Sequence, residues 1–314
     1  MRPRRPPAAP PFAVLVLSLL AAAPAAAPAA AQGGPLVVFD AGSLARPLRA
    51  ALDSFARRDP VTIAQESAGS LETARKLTEL HRIPDIIALA DREVFDRLLM
   101  PDYVESYVEF ARNRMVIAYT DRSRGAATID SANWSTVLLA PGTETGRADP
   151  STDPNGYRTL LVLQLAERHY ARPGLAARLL AAMPARNVRP NEATLIGLLQ
   201  AGEFDYIWSY ESLAQAAHVR YLTLPPAIDL SDPALADRYA EAAVTVRGAG
   251  GTDSVTFRGA PIVYAIAIPV GAPHRAAAER FLAWLTSPEG VRVLRAARLD
   301  ALEHPVTVSA RPTR

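Results

Sequence analysis

After an N-terminal apolar run, short apolar stretches alternate with segments whose apolar residues recur at helical spacing. "LVVF" (36–39) reads as a strand, and the segment after it sets Leu44, Leu48, Leu52 and Phe55 on one helix face. Pro47 falls in the first turn of that helix, where a missing N–H costs little. "VTIAQ" is the next strand, followed by a helix carrying Leu71, Ala74, Leu77 and Leu80; "DIIALA" is a third strand and "RMVIAYT" a fourth. Such alternation predicts an α/β protein with a mostly parallel sheet.

Past residue 140 the pattern continues in a different key. "TGRADPSTDPNGYRTLLVLQLAERHY" is a proline- and aspartate-rich loop running into a strongly apolar helix. "NVRPNEATLIGLLQAGEFDYIWSY" reads as loop, helix, a stop at Gly202, then strand. "APIVYAIAIP" is a long apolar strand, and "HRAAAERFLAWLTSPEGVRVLRAA" is two amphipathic helices broken at Ser287-Pro288. "GAGGTDS" (248–254) reads as an exposed hairpin or loop. No tandem repeat and no long linker interrupts the chain. Two sets of α/β units without a linker predict two lobes that the chain crosses between more than once. Residues 32–116 and 262–314 are assigned to the first lobe and 117–261 to the second.

The first 31 residues stand apart. Arg2, Arg4 and Arg5 precede "FAVLVLSLLAAA", and "APAAAQ" supplies small residues for cleavage after Ala31. This is the grammar of a secretory signal, with an apolar core too short to span a membrane comfortably. The expected protein is therefore exported, periplasmic or extracytoplasmic, and soluble after cleavage. The chain has no cysteine, so neither a disulfide nor a lipid anchor on cysteine is available. Removing three arginines and no acid takes the formal charge from +2 to −1. A nucleic-acid partner loses its electrostatic argument.

Two strand-to-helix junctions carry the candidate chemistry. "FDAGSL" places Gly42 and Ser43, and "SAGSL" places Gly69 and Ser70, where a helix begins. First-turn N–H groups lack intrahelical partners, and the helix dipole adds roughly half a positive charge there, so an anion is welcome. Either serine could simply cap its helix. Two such junctions at the carboxyl ends of strands favour a ligand, because open α/β sheets bind there. Asp153 and Pro154 in "STDPNGYR" form a third helix entrance, and Pro190, Asn191 and Glu192 in "RPNEATLIGLL" a fourth. Taken singly, Asp153 reads as a cap, Glu192 as an acid well placed against the dipole, and Tyr210 as a half-buried aromatic closing "DYIWSY".

"FDAGSL", "SAGS", "PDIIALAD", "DPSTDPNGYR", "VRPNE", "DYIWSYES", "LPPAIDLSDP" and "PIVYAIAIP" follow one another over nearly the whole mature chain. In that order they resemble the tungstate/molybdate-binding proteins of ABC importers, of the kind best known from archaea. The resemblance implies a two-lobed, periplasmic-binding-protein-like fold of type II, each lobe a mixed sheet flanked by helices, with the oxoanion in the cleft. It implies a monomer that delivers molybdate or tungstate to a membrane permease, with no cofactor and no catalysis. Gly42, Ser43 and Ser70 resemble that family's backbone and hydroxyl donors. Asp153 and Glu192 resemble the two carboxylates that complete six-coordination of the metal, and Asn155 and Tyr210 resemble further donors. Asn155 stands where the family is associated with cysteine, and the stretch from His169 to Asn187 is shorter than in many relatives.

The two acids have a chemical rationale. A carboxylate repels a dianion, so a sulfate or phosphate site would gain nothing from them. Molybdenum and tungsten in their oxoanions are large d⁰ centres that can accept two further oxygens; sulfur in sulfate cannot. Sulfate remains open if both acids only cap helices. A ferric site would favour adjacent tyrosines, and there is no Tyr-Tyr pair. A hydrolase finds little support: His81, His169, His218, His274 and His304 form no HExxH, and no GxSxG occurs.

Overall fold

In the computed structural model, residues 34–247 and 254–309 are described. The signal reading and most of the 248–254 segment lie outside them. The chain opens with β1 (Leu36–Ala41), a 3₁₀ turn at Gly42–Leu44 and α1 (Ala45–Ala56), then β2 (Ile63–Ala68), α2 (Ser70–Thr78) and β3 (Ile86–Leu89). Next come α3 (Arg92–Val94), which runs on into a π turn, β4 (Ser106–Arg112), β5 (Met115–Tyr119), α4 (Trp134–Leu138) and β6 (Thr145–Ala148). The central part holds α5 (Pro154–His169), α6 (Leu175–Ala181), β7 (Val188–Arg189), α7 (Glu192–Ala201), β8 (Tyr206–Tyr210), α8 (Glu211–Ala216) and β9 (Arg220–Thr223). Finally α9 (Ala236–Tyr239) leads to the hairpin β10 (Ala243–Arg247) and β11 (Ser254–Arg258). The chain ends in β12 (Val263–Ala267), α10 (Arg275–Leu285), α11 (Pro288–Ala296) and β13 (Asp300–Ser309).

These strands build two sheets, ordered β13-β4-β12-β3-β1-β2 and β7-β6-β8-β5-β9, with the hairpin separate. The expectation of a mostly parallel sheet needs correction. β1 pairs parallel with β2 and β3, but β12 runs antiparallel to β3 and β4, and β13 antiparallel to β4. In the second sheet β6 is parallel to β7 and β8, while β5 is antiparallel to β8 and β9. The antiparallel strands arise from the two crossings. The chain leaves the first sheet after Arg112, enters the second at Met115 and comes back by β12. Met115 and Val116 thus belong to the second sheet. Backbone bonds hold the crossings side by side: Met115 N to Asp229 O at 2.9 Å and Ile262 N to Leu230 O at 2.8 Å.

Burial follows the strand period. In β5, Met115, Ile117 and Tyr119 join the main core, whereas Val116 and Ala118 face a smaller cluster with Leu195, Leu199 and Ile207. Helices therefore cover both faces of the second sheet. In α1 and α2 the expected apolar faces are buried, except that Leu80 is 63% exposed because α2 ends at Thr78. β13 sits on a sheet edge and tolerates Pro305 at a register shift between Ala301 and Val306. Among the described residues no helix is long and apolar enough to cross a membrane.

Candidate functional site

Four segments that enter helices meet between the two sheets. Beside the start of α7, Ala193 Cβ would stand 3.7 Å from a Cβ on Gly42. A Cβ on Gly69 would lie 2.3 Å from the carbonyl oxygen of Thr152, in the loop before α5. This close approach, not backbone conformation, demands glycine there. Glu72 N reaches the same carbonyl at 3.3 Å. The starts of α5 and α7 are tied directly, since Asp153 Oδ2 accepts from Glu192 N at 3.0 Å. All four expected entrances are thus in one place.

Neither serine caps its helix. The cap positions are Ala41 and Gly69, and no side chain bonds there. Ser43 Oγ instead accepts from the Tyr264 hydroxyl at 3.1 Å, and Ser70 Oγ accepts from Ala90 N at 3.0 Å. Both oxygens are used as acceptors, which leaves each hydroxyl hydrogen to donate elsewhere.

The acids divide their work. Asp153 caps α5 as its sequence suggests, with Oδ1 accepting from Asn155 N at 2.9 Å. Burial raises its pKa to about 6, against the two backbone N–H groups that favour its charged form. Glu192 does not point outward along its dipole. Its side chain turns inward, where Oε1 accepts from Ser209 Oγ at 2.6 Å and from Tyr210 N at 2.5 Å. Burial first, and Asp153 second, push its pKa well above the usual carboxylate range. Its Oε2 is buried without a protein partner, and so are both side-chain polar atoms of Asn155. Buried polar atoms are rarely left so, which marks this cluster as built for something other than itself.

Sequence reasoning passed over one central residue. Arg158, 3% exposed, lies on α5 and donates to Ala90 O at 2.7 Å and to the Tyr210 hydroxyl at 2.8 Å, with Asp91 Oδ2 at 3.1 Å. Burial opposes its charge, but Asp91 and then Tyr210 more than offset this, and its pKa lies above the ordinary arginine value. Ala90 thus serves both sides: its N–H holds Ser70 and its carbonyl holds Arg158. Tyr210 links Arg158 through its hydroxyl and Glu192 through its backbone. Tyr157 also donates to Asp91. The available signal was a cation in the first turns of α5, just ahead of the apolar run Leu160–Leu163, where a buried charge needs a partner. Tyr264 and Asn113 were passed over too; Asn113 Nδ2 donates to the Tyr264 hydroxyl at 2.7 Å, behind Ser43.

Two sheets joined by paired crossings, with buried donors and acids between them, are the architecture of a solute-binding protein. Residues 36–297 match the family described as bacterial extracellular solute-binding protein. The chain belongs to that family. Among its relatives, a solute-binding protein of Petrotoga mobilis is 42% identical over 262 residues, 83% of this chain and 82% of its own. The molybdate/tungstate-binding protein WtpA of Pyrococcus abyssi is 33% identical over 298 residues, covering 86% of each chain. Among solved structures, the periplasmic molybdate-binding protein of Azotobacter vinelandii superposes with a TM-score of 0.61 at 17% identity, covering 84% of this chain and 98% of that one. The sulfate-binding protein SubI of Mycobacterium tuberculosis reaches 0.60 at 15% identity, covering 86% and 88%. At such identities the structural likenesses establish the two-lobed fold of this solute-binding family and no more.

Proposed function

We propose that this solute-binding protein captures molybdate or tungstate outside the cytoplasm and hands it to the membrane permease of an ABC importer. The observation that carries the reading is the pair of buried acids. Asp153 and Glu192 are joined through one backbone bond, and Glu192 Oε2 has no protein partner. A site for a non-expandable tetrahedral anion would suffer from two buried carboxylates. A d⁰ metal centre turns them into ligands. The metal takes one oxygen from each carboxylate, while Ser43, Ser70, the Gly42 backbone and Asn155 donate to the oxo groups. Arg158 and the helix N-termini offset the negative charge gathered there.

The protein acts in this reading as a carrier without chemistry of its own: exported, monomeric, and closing around one anion. The 33% identity with a molybdate/tungstate-binding protein over most of both chains supports it. Sulfate is the second reading, which holds if the acids only organise the backbone, as Asp153 does in capping α5 and Glu192 in holding Ser209 and Tyr210. A thermal-shift panel separates them. Molybdate and tungstate should raise the melting temperature by several degrees at concentrations where sulfate and phosphate do nothing. Equal or greater stabilisation by sulfate would overturn the metal-oxoanion reading.

A further inference from the structure

A cleft of about 490 Å³ lies where the chain crosses between the sheets, on the far side of Asn113 from Ser43. It is lined by four arginines, Arg112, Arg114, Arg295 and Arg298, and two acids, Glu211 and Asp300. Two of the arginines are occupied. Arg114 pairs with Glu211 at 3.2 Å, and Arg295 donates to Ala301 O at 3.1 and 2.9 Å. Among the described residues, the side chains of Arg112 and Arg298 have no hydrogen-bond or ion-pair partner.

Arg298 adds an independent observation. It follows the end of α11 with φ 68°, in the left-handed region, and Leu299 N closes the turn onto Leu294 O at 3.1 Å. Glycine takes that position without strain. Here an arginine holds it, and that residue lines the cleft. Ala171 and His218 hold the same left-handed position after α5 and α8, so what sets Arg298 apart is its place on the cleft wall.

We propose that this cleft is a second anion site, taking a small organic molecule with two or more carboxylate or phosphate groups. Unpaired guanidiniums offer planar forks that match carboxylate and phosphate oxygens two at a time. The volume falls in the range of small-molecule sites, and a single tetrahedral anion would fill little of it. A polyanion long enough to touch Arg112 and Arg298 together is the occupant the charges select. The site is distinct from the oxoanion cluster: Asn113 borders both, but Arg112 and Arg298 stand on β4 and just after α11, both in the first lobe, so their spacing does not depend on what binds between the lobes.

Tricarballylate is a suitable probe, since it carries three carboxylates and lacks the hydroxyl that would chelate a metal. Calorimetry with and without saturating molybdate should give one tricarballylate site of similar affinity in both, weakened by added salt. Inorganic phosphate should bind at least tenfold more weakly. Arg298→Gly should lose at least tenfold in tricarballylate affinity while melting no lower than wild type, because it also relieves the left-handed backbone. Arg112→Ser should lose a similar factor. Absence of saturable binding, displacement by molybdate, phosphate binding as tightly as tricarballylate, or unchanged affinity in both variants would each overturn the proposal.

Discussion

Glu192 is where the competing accounts of the site diverge most sharply. If it coordinates the metal, Glu192→Gln weakens molybdate binding at least tenfold, about 1.4 kcal/mol, although it removes a negative charge from an anion site. If it only organises Ser209 and Tyr210, the same change leaves binding alone or tightens it, the more so the more Glu192 is ionised. Titration calorimetry reads the sign, and any weak sulfate affinity should rise in the same variant. Asp153 adds a pH dependence. Burial raises its folded pKa from 3.8 to about 6, so between those values the folded protein holds more protons than the unfolded chain. Its contribution to stability is therefore fully present below 3.8 and is lost as pH rises through about 6. Melting of the ligand-free protein across that window should decline less steeply in Asp153→Asn, where the asparagine can still cap α5. An identical slope in the variant would show that Asp153 is not the group titrating. Molybdate affinity should fall as pH drops below about 6, since a protonated carboxyl must first release its proton.

At the scale of elements, the junction of β2 with α2 is the tightest point between the sheets. Any side chain at Gly69 meets the Thr152 carbonyl, which belongs to the other lobe's loop. Gly69→Ala should leave the ligand-free protein free to open and melting within a few degrees of wild type, yet lower molybdate affinity at least tenfold. Unchanged affinity would mean that this approach is not part of the bound state. How much of this was legible beforehand follows from where each signal lives. Helix entrances are written locally, in Gly-Ser, Asp-Pro and Pro-Asn-Glu, and all four were readable. The apolar faces of α1 and α2 were readable for the same reason. β4 and β13 were not, because "SYVEFAR" mixes charges into its strand and Pro305 interrupts the last one. Strand direction was not, because it depends on where the chain crosses. Arg158 was visible as a misplaced charge, but its partners Asp91 and Tyr210 lie 67 and 52 residues away. Nothing local connects them.

For the whole molecule, the two crossings and the buried polar circuit tie the two sheets of a solute-binding protein together. Asn113 and Tyr264 support Ser43, Ala90 couples Ser70 to Arg158, and Asp153 couples α5 to α7. In the proposed reading, a cluster drawn from both sheets is complete only when they approach, which makes capture and closure one event. The solute-binding family supplies the frame, and in the proposed reading the paired acids set the selectivity. That selectivity rests on a statement about coordination number. X-ray absorption at the metal edge, on protein saturated with molybdate, reads it without a variant. Coordination of Asp153 and Glu192 predicts a six-coordinate metal with two oxygens beyond the four of the free anion, and a four-coordinate spectrum indistinguishable from free molybdate would contradict it.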